Sequence, residues 1–529
     1  MLLLSLPYFW DEAGYYIPAA RDLFSGSLIP HSTPSNAHPP LVMAWLALSW
    51  KIFGQSQIVT RCAMLLLAAF SLVGYFRLSR AVANTTVAAA STALTAIYPV
   101  FFTQSSLAHV DLPAAGLIFW GLESHLRGRR GASLVWFSLA VLAKETAILA
   151  PLALFLWELL RASLIGREGT AFSRAPNNSK TVSARLNAVP SRSSARFSSL
   201  LLLIPVLPLA AWYAYHYART GFVFGNAEFF RYNVQATLHP LRIFLALLVR
   251  TWQTFGYLNL YLLTLACILA MRYAPIEDEG KPRLRIDLPI QASFLAIVIA
   301  YIVALAVIGG AVLDRYMLPV VPLVILVCVS TIWRRLKLWP AMIAFVAMAF
   351  VAALFVNPPY SFSPEDNLTY RDYIRLHQRA ENFLATRYPN ARVLTAWPAS
   401  DELSRPYLGY VQKPMQVVRI DDFSVEQVLS GADARSRFDV ALVFSTKYQP
   451  HSIFDRWQLW RKWKAQYFDY HVDLTPEAIA SVLGGNLVYV EYKRGEWVGI
   501  VELQKIEEAG LRTSAVFDNR YVSPGAIPA

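Results

Sequence analysis

The chain has 529 residues, of which 56% are hydrophobic and only 16% charged, and its formal net charge at pH 7 is +13. A soluble globular protein usually carries about 25% charged residues, so this composition excludes a collagen-like, disordered or disulfide-scaffold protein. The charge is unevenly distributed: positions 1–356 hold 28 basic and 14 acidic residues, whereas positions 357–529 hold 20 basic and 21 acidic residues. An apolar, acid-poor region followed by an ordinarily charged one predicts a membrane domain and then a soluble domain.

Apolar runs divide the first region into candidate membrane spans, most of them close to the ~20 residues that a helix needs to cross a bilayer. The runs 132–143 and 146–160 are short, and we expect Lys144 and Glu145 between them to tilt or break one of the helices. Positions 1–10 are apolar but too few to span, and we interpret them as the outer half of a truncated first span. The pattern predicts a polytopic α-helical domain of about 10 or 11 spans. The longer runs lie near 57–76, 85–103, 111–126, 199–217, 253–272, 290–309, 316–333 and 338–356.

Basic residues cluster in turns between the apolar runs, as they do on the cytoplasmic side of membrane proteins. This placement, at 127–130 and 334–337 for example, argues against nucleic-acid binding. Loop 161–197 holds seven Lys or Arg and a single acidic residue, and its Ser, Asn and Pro content predicts a flexible cytoplasmic loop. Because successive spans cross the membrane in opposite directions, the remaining segments are predicted to be extracytoplasmic. They are 11–56, 104–110, 218–252, 310–315 and everything after 356.

The second region, 357–529, has the pattern of a soluble α/β domain. Apolar side chains repeat with helical spacing over 370–386, and short apolar stretches at 391–397, 438–444 and 487–492 predict strands. We expect this domain to be extracytoplasmic and to pack on the outer face of the membrane domain. The three cysteines all precede it in apolar segments, so no disulfide framework is expected.

Two adjacent carboxylates, Asp11 and Glu12, follow the N-terminal apolar stretch on the predicted outer side. Such a pair at a membrane surface can hold a metal ion or deprotonate a hydroxyl, because desolvation raises the basicity of a carboxylate. The alternative is an acidic pair that the helix dipole favours at a helix N-terminus. Tyr15 and Tyr16 follow three and four positions after Glu12.

His38 and Asp111 each lie at the start of an apolar run on the same predicted side. His38 precedes two prolines, which are common at a helix start, so it is either a capping residue or a contact for phosphate at the helix N-terminus. Asp111 is either an N-cap or a residue that orients an acceptor. Gln104 lies in the loop before it, and His109 alone is expected at the surface.

Arg315 and Tyr316, preceded by Asp314, lie at the predicted outer mouth of a span. A guanidinium matches phosphate oxygens in geometry, so Arg315 suits a lipid-linked phosphate. The alternative is an arginine that snorkels to the membrane surface beside an aromatic-belt tyrosine. Lys144 and Glu145 form an ionisable pair between two short spans, which is costly unless the pair is neutralised or faces a cavity.

Taken in order, these motifs resemble the GT-C glycosyltransferases, in particular their protein O-mannosyltransferase and aminoarabinose-transferase branch. Each motif is weak alone, and their order over positions 1–356 is what makes the resemblance specific. The motifs are Asp11-Glu12, His38-Pro-Pro-Leu, Gln104 to Asp111, Leu142-Ala-Lys-Glu-Thr146 and Arg315-Tyr-Met-Leu-Pro319.

The resemblance implies an integral-membrane enzyme that uses a polyprenyl-phosphate-linked sugar. It implies that Asp11 is the catalytic carboxylate, with Glu12 beside it, and that Asp111 is a second essential acidic residue. His38 stands where aminoarabinose transferases carry a lysine for the lipid phosphate, which shifts that contact towards Arg315. The substrate-binding set would be Tyr16, His38, Gln104, Lys144, Glu145, Arg315 and Tyr316.

The expected reaction is a single in-line, inverting displacement, in which Asp11 activates a hydroxyl of a protein, lipid or glycan acceptor. We expect the enzyme in a bacterial inner membrane. The sequence does not decide whether a divalent metal ion binds. If one does, its ligands are Asp11, Glu12 and His38. One alternative is a lipid or sugar transporter, although the inverted repeats typical of transporters are not evident. The other is a receptor or assembly scaffold in which the soluble domain is the working part.

Overall fold

The computed structural model describes residues 3–165, 199–448, 450, 456–468 and 470–504, and its first part is helical. Among these residues, four helical stretches are long and apolar enough to cross a membrane: Gln57–Val82, Leu201–Thr220, Pro240–Ala270 and Leu288–Val307. Shorter apolar helices span Leu41–Phe53, Thr85–Ile97, Arg130–Ala143 and Trp339–Phe355. The other helices of this part are Ile17–Phe24, Pro99–Gln104, Asp111–Leu126, Leu149–Ile165, Ala227–Asn233 and Val321–Arg335. The chain is therefore an integral membrane protein with several spans, as the sequence predicts.

Lys144 interrupts the helical chain where the sequence predicts a break. Its backbone is extended (φ −152°, ψ 132°), so that helix Arg130–Ala143 ends there and helix Leu149–Ile165 begins after a short 3₁₀ turn. An ionisable side chain is thereby placed between two apolar helices rather than within one. The predicted cytoplasmic loop 161–197 continues from the second helix, and its positions 166–197 lie outside the described residues.

The prediction of an outer loop at 218–252 is wrong in part, because this segment contains most of helix Pro240–Phe255. After a kink at Leu258, whose φ is 44°, the chain continues as helix Leu260–Ala270, so that the predicted span 253–272 is the second half of a longer helical stretch. The first half carries buried arginines that lower its hydropathy, which is why the sequence pattern did not reveal it.

The second part of the chain contains a five-stranded mixed sheet. The strands of the chain are β1 (Glu277–Asp278) and β2 (Lys281–Pro282), which form a small hairpin in the first part, then β3 (Arg392–Thr395), β4 (Gln416–Arg419), β5 (Val440–Phe444), β6 (Gly485–Lys493) and β7 (Glu496–Leu503). The last five form the sheet in the order β4-β3-β5-β7-β6, with β3 parallel to both of its neighbours and β7 antiparallel to both of its own. The helices of this part are Thr369–Arg387, Ala399–Ser404, Val425–Asp433, Gln458–Phe468 and Pro476–Leu483.

The predicted elements of the α/β domain are confirmed. The helix expected over 370–386 is Thr369–Arg387, and the strands expected at 391–397, 438–444 and 487–492 are β3, β5 and β6. Strand β5 is buried at every position, as expected for a central strand flanked by apolar layers on both faces.

The N-terminal segment connects the helical part with the sheet domain. The Tyr8 amide donates to the Leu408 carbonyl at 3.1 Å, and the ring of Trp10 contacts that of Trp397 with centroids 4.9 Å apart. The segment that carries Asp11 is therefore held against the sheet domain by two contacts.

Candidate active site

The site is built around the guanidinium of Arg315, whose side chain is only 1% exposed. The residue lies in a 3₁₀ turn, Asp314–Met317. The guanidinium donates to the carboxylates of Asp11 and Glu365, and its Nε lies 3.2 Å from Oδ2 of Asp111. Its burial excludes the alternative of an arginine that snorkels to the membrane surface. Arg315 thus joins three parts of the chain that are far apart in sequence.

Asp11 is the carboxylate of this cluster that reaches solvent. Its side chain is 33% exposed, whereas those of Asp111 and Glu365 are each 1% exposed. It directly precedes a one-turn π-helix, Glu12–Tyr16, and such turns occur frequently at functional sites. A carboxylate that contacts a buried cation and is also open to solvent can take a proton from a bound molecule.

Asp111 and Lys144 form a buried ion pair beside Arg315. The Lys144 ammonium donates to Oδ1 of Asp111 and lies 3.7 Å from the centroid of the Tyr316 ring. Asp111 begins its helix, but its side chain does not cap the helix amides. The N-cap alternative is therefore excluded, and the carboxylate serves the charged cluster.

The cluster contains three carboxyl groups and two cations in a space from which water is mostly excluded. Burial raises the pKa of Glu365 to about 8, although the guanidinium of Arg315 acts in the opposite direction. Glu365 is therefore largely protonated at neutral pH. The charges of Asp11 and Asp111 then balance those of Arg315 and Lys144, which avoids an uncompensated buried charge.

His38 forms a second polar pair next to this cluster. Its Nδ1 lies 3.0 Å from Oε2 of Glu145, and it makes no cap to the helix that begins at Leu41. The ring of Tyr16 packs against the His38 ring with centroids 5.8 Å apart and against the His109 ring at 5.6 Å. Tyr16 therefore links the His38–Glu145 pair to the main cluster.

His109 was expected at the surface, and the structure shows that this expectation is wrong, since the residue is only 1% exposed. Its Nδ1 lies 2.7 Å from Oε1 of Gln104 and 3.9 Å from Oε2 of Glu365. The loop is covered because the segment that carries Glu365 packs against it. Burial and the nearby cation of Arg315 hold the pKa of His109 well below its ordinary value, so its imidazole is neutral.

Glu12 does not join the cluster, although it is adjacent to Asp11. Its carboxylate is completely buried and accepts hydrogen bonds from Arg61, at 2.9 Å from Nη2, from the Phe9 amide at 3.0 Å and from the Ala108 amide. These bonds fix the N-terminal segment to the first long helix. Glu12 therefore has the contacts of a residue in a buried structural ion pair.

The three side chains suggested as metal ligands are not brought together among the described residues. Asp11 and Glu12 pair with different arginines, and His38 pairs with Glu145. We therefore assign no metal ion to this set.

Two residues of the site were not found from the sequence. Glu365 follows the last apolar helix, in the region predicted to be soluble, and carries no local signal of its role. Arg250 lies in a predicted outer loop, yet it donates to the Leu313 carbonyl at 2.8 Å and lies 5.5 Å from the centroid of the Tyr316 ring. It thereby supports the turn that presents Arg315, and its occurrence within an apolar helix is the signal that could have revealed it.

A family model matches part of this chain. Positions 37–170 match the model described as dolichyl-phosphate-mannose-protein mannosyltransferase. The matched stretch includes the predicted site residues His38, Gln104, Asp111, Lys144 and Glu145. Among curated protein sequences, none matches the chain.

Solved structures support the fold over nearly the whole chain. ArnT from Cupriavidus metallidurans bound to undecaprenyl phosphate is 14% identical with a TM-score of 0.52, and the match covers 94% of this chain and 95% of that chain. The apo state of ArnT gives 12% identity and a TM-score of 0.50 at the same coverage. AglB from Archaeoglobus fulgidus, in complex with an inhibitory peptide and a dolichol-phosphate, gives 11% identity and a TM-score of 0.43 over 94% of this chain and 70% of that chain. The match to ArnT confirms the predicted GT-C-like fold, a helical membrane part followed by an α/β domain.

Proposed function

We propose that this chain, a membrane glycosyltransferase with the GT-C fold, transfers a sugar from a polyprenyl-phosphate donor to a hydroxyl acceptor. The transfer takes place on the extracytoplasmic side of a bacterial inner membrane. One observation carries the proposal: Asp11, a carboxylate that reaches solvent, is bonded to Arg315, a buried guanidinium. A base open to an acceptor and a cation suited to a phosphate are thus in contact.

The choice of a lipid-linked donor is supported by the similar proteins. The family model that matches positions 37–170 is described by a dolichyl-phosphate-mannose substrate, and the ArnT structure has undecaprenyl phosphate bound. A lipid donor also explains why the cluster lies among apolar helices, where a prenyl chain can remain in the membrane.

The donor phosphate binds at Arg315. A guanidinium donates two parallel hydrogen bonds to phosphate oxygens, and it stabilises the negative charge that develops as the glycosidic bond breaks. Lys144 supplies a second positive charge near the same point, held over the Tyr316 ring. Because polyprenyl phosphate is a good leaving group, its departure needs little help from an acid.

The acceptor is activated by Asp11. The acceptor oxygen attacks the anomeric carbon from the face opposite the phosphate, and its proton passes to the Asp11 carboxylate. The bond from the anomeric carbon to the phosphate oxygen breaks, and its electron pair leaves with the lipid phosphate at Arg315. A single displacement of this kind inverts the anomeric configuration.

Donor and base share the guanidinium of Arg315. Without donor, the guanidinium is bonded to the Asp11 carboxylate. A bound phosphate competes for the same guanidinium, so it frees the Asp11 carboxylate to contact the acceptor. The base is thus available when the sugar to be transferred is present.

The remaining predicted residues shape the site around these two. Asp111 orients Lys144 and Arg315 by pairing with both of them. His38 and Glu145, with Tyr16 between them and the cluster, lie where they can contact the donor or the acceptor sugar. Gln104 and Glu12 hold the loops that position the site, through His109 and Arg61 respectively.

The test compares the wild-type chain with Asp11→Asn, both purified at full length in detergent. Each is incubated with undecaprenyl phosphate linked to a hexose, a pentose or a uronic acid, with cell-envelope extract as the acceptor source, and donor loss is measured by mass spectrometry. We expect one donor to be consumed by the wild type and not by Asp11→Asn. Asp287→Asn is the matched control, because Asp287 lies outside the cluster and its side chain makes no cap to the helix that follows.

Near-normal turnover by a folded Asp11→Asn protein would remove Asp11 as the base. If the folded wild type consumes none of the donors, the transferase proposal fails, and the transporter alternative would be tested by following lipid-linked sugar across proteoliposome membranes.

A further inference from the structure

A cluster of titratable side chains lies in the core of the α/β domain, away from the Arg315 site. His377 and Glu381 are on helix Thr369–Arg387, four positions apart, so both side chains lie on the same face. Glu402 comes from helix Ala399–Ser404, which follows strand β3. The three side chains are each 0–1% exposed.

The cluster leaves an unusual number of buried polar atoms without partners. His377 Nδ1 lies 2.6 Å from Oε2 of Glu402 and 3.8 Å from Oε1 of Glu381. Among the described residues, both oxygens of Glu381, Oε1 of Glu402 and Nε2 of His377 have no hydrogen-bond partner of good geometry. The carboxyl groups of Glu381 and Glu402 lie within reach of one another, and the Tyr410 hydroxyl lies within reach of Glu402. More than about 90% of buried polar groups in folded proteins are satisfied, so several orphaned atoms at one point indicate a missing ligand.

The two carboxyl groups of the cluster share one histidine, His377, as their ion-pair partner. Within the described part of the chain, no lysine or arginine forms an ion pair with Glu381 or Glu402. Nearby acidic residues of the same domain do have such partners: Asp372 pairs with Lys493 at 3.1 Å, and Asp401 pairs with Arg419. Two buried carboxyl groups without a cation are strongly unfavourable unless they share a proton or bind a metal ion.

We propose that His377, Glu381 and Glu402 bind a divalent transition-metal ion of the Zn²⁺ class. One imidazole nitrogen and two carboxylate oxygens are ligands that such ions prefer. One candidate ligand atom from each residue lies within 4.8 Å of the others. Bonds of about 2.0–2.2 Å bring ligand atoms to roughly 3.5 Å from one another, so small side-chain rotations complete the site.

The position of this site gives the ion a structural role towards the N-terminal segment. The His377 ring stacks on that of Tyr373, with centroids 4.3 Å apart, and Tyr373 contacts the rings of Phe9 and Trp10 at 5.4 and 5.9 Å. These two aromatic residues directly precede Asp11. An ion that fixes His377 therefore stiffens the packing behind the segment that carries the proposed base.

The test measures bound metal in the full-length chain, purified in detergent with an affinity tag that contains no histidine. Wild type, Glu381→Gln and Glu402→Gln are treated with chelator, loaded with Zn²⁺ or Co²⁺ and desalted, and metal content is determined by mass spectrometry. We expect about one ion per chain for the wild type and at least about tenfold weaker binding for both variants. The Co²⁺-loaded wild type should show visible d–d absorption that both variants lack.

Glu496→Gln is the matched control, because Glu496 is a buried carboxyl of the same domain that bonds to Ser445 rather than to the cluster. It should bind metal as the wild type does. Size-exclusion profiles establish that each variant is folded. Metal binding that is equal in wild type and Glu381→Gln would overturn the proposal. A second result would also overturn the proposal: the wild type binds no ion, and Glu381→Gln unfolds at a higher temperature than the wild type. That combination identifies a carboxyl pair that shares a proton. Neither result depends on glycosyl transfer, so the two proposals are tested separately.

Discussion

Asp11 and Glu12 are adjacent in the chain, yet their carboxylates bind different arginines. Asp11 contacts Arg315 and is 33% exposed, whereas Glu12 contacts Arg61 and is completely buried. Asp11 directly precedes the π-helical turn that begins at Glu12. The two carboxylates therefore do not share one site, and the role that we propose for Asp11 in the chemistry does not extend to Glu12.

The first prediction concerns the buried pair of Glu12 and Arg61. In Glu12→Gln the guanidinium of Arg61 stays buried without its counter-charge, and removing one partner of a buried pair typically costs about 3–5 kcal/mol. We expect a clear fall in the thermal unfolding temperature in detergent. The double variant Glu12→Gln/Arg61→Met removes the stranded charge and should recover part of the loss. An unfolding temperature unchanged in Glu12→Gln would contradict the structural role.

The second prediction concerns the guanidinium of Arg315. Arg315→Lys keeps the positive charge but loses the planar group that contacts Asp11, Asp111 and Glu365 together. We expect kcat/KM for the lipid-linked donor to fall by about 10²- to 10³-fold. Donor titrations of the two proteins under initial-rate conditions measure this.

The control for that change is Arg335→Lys. Arg335 lies at the other end of the helix that follows the site, where it donates to the Met271 carbonyl at 3.1 Å. Its substitution should leave donor kinetics within twofold of the wild type, about the limit of such assays. A donor KM and kcat unaffected in Arg315→Lys would show that the phosphate binds elsewhere.

The fold could be predicted largely from hydropathy, because a bilayer demands long apolar helices and the strands of the sheet are short apolar runs. The pattern failed at helix Pro240–Phe255. There, Arg242 and Arg250 are buried against backbone carbonyls of the chain that precedes Arg315, so polar residues in the sequence are interior residues in the structure.

The site could be predicted only as far as local motifs reach. Asp111, Lys144 and Arg315 stood out because each is an ionisable residue beside an apolar run, and the structure brings all three together. Glu365 did not stand out, since a carboxyl in a charged region has nothing unusual about it. The prediction for His109 was wrong because a short loop is expected to be exposed, and the sequence does not reveal the segment that covers it.

The last prediction uses the pH dependence of Glu365. Burial raises its pKa from 4.5 to about 8, so the carboxyl is neutral below that pH and ionised above it. The ionised form competes with the donor phosphate for Arg315. We therefore expect the donor KM of the wild type to rise above pH 8. In Glu365→Gln, which keeps the shape and removes the charge, that rise should be absent, and activity near neutral pH should be retained.

The same shift predicts the pH dependence of stability. Between the ordinary pKa of 4.5 and about 8 the folded protein binds a proton that the unfolded chain has released, so the free energy of unfolding decreases as the pH rises through this range. Glu365→Gln should reduce that decrease relative to the wild type, whereas at a pH below 4.5 the shift makes no contribution. Unfolding temperatures of both proteins across the range measure the difference. Parallel curves for stability, together with an unchanged rise of the donor KM, would mean that Glu365 is ionised at neutral pH and is a permanent partner of Arg315.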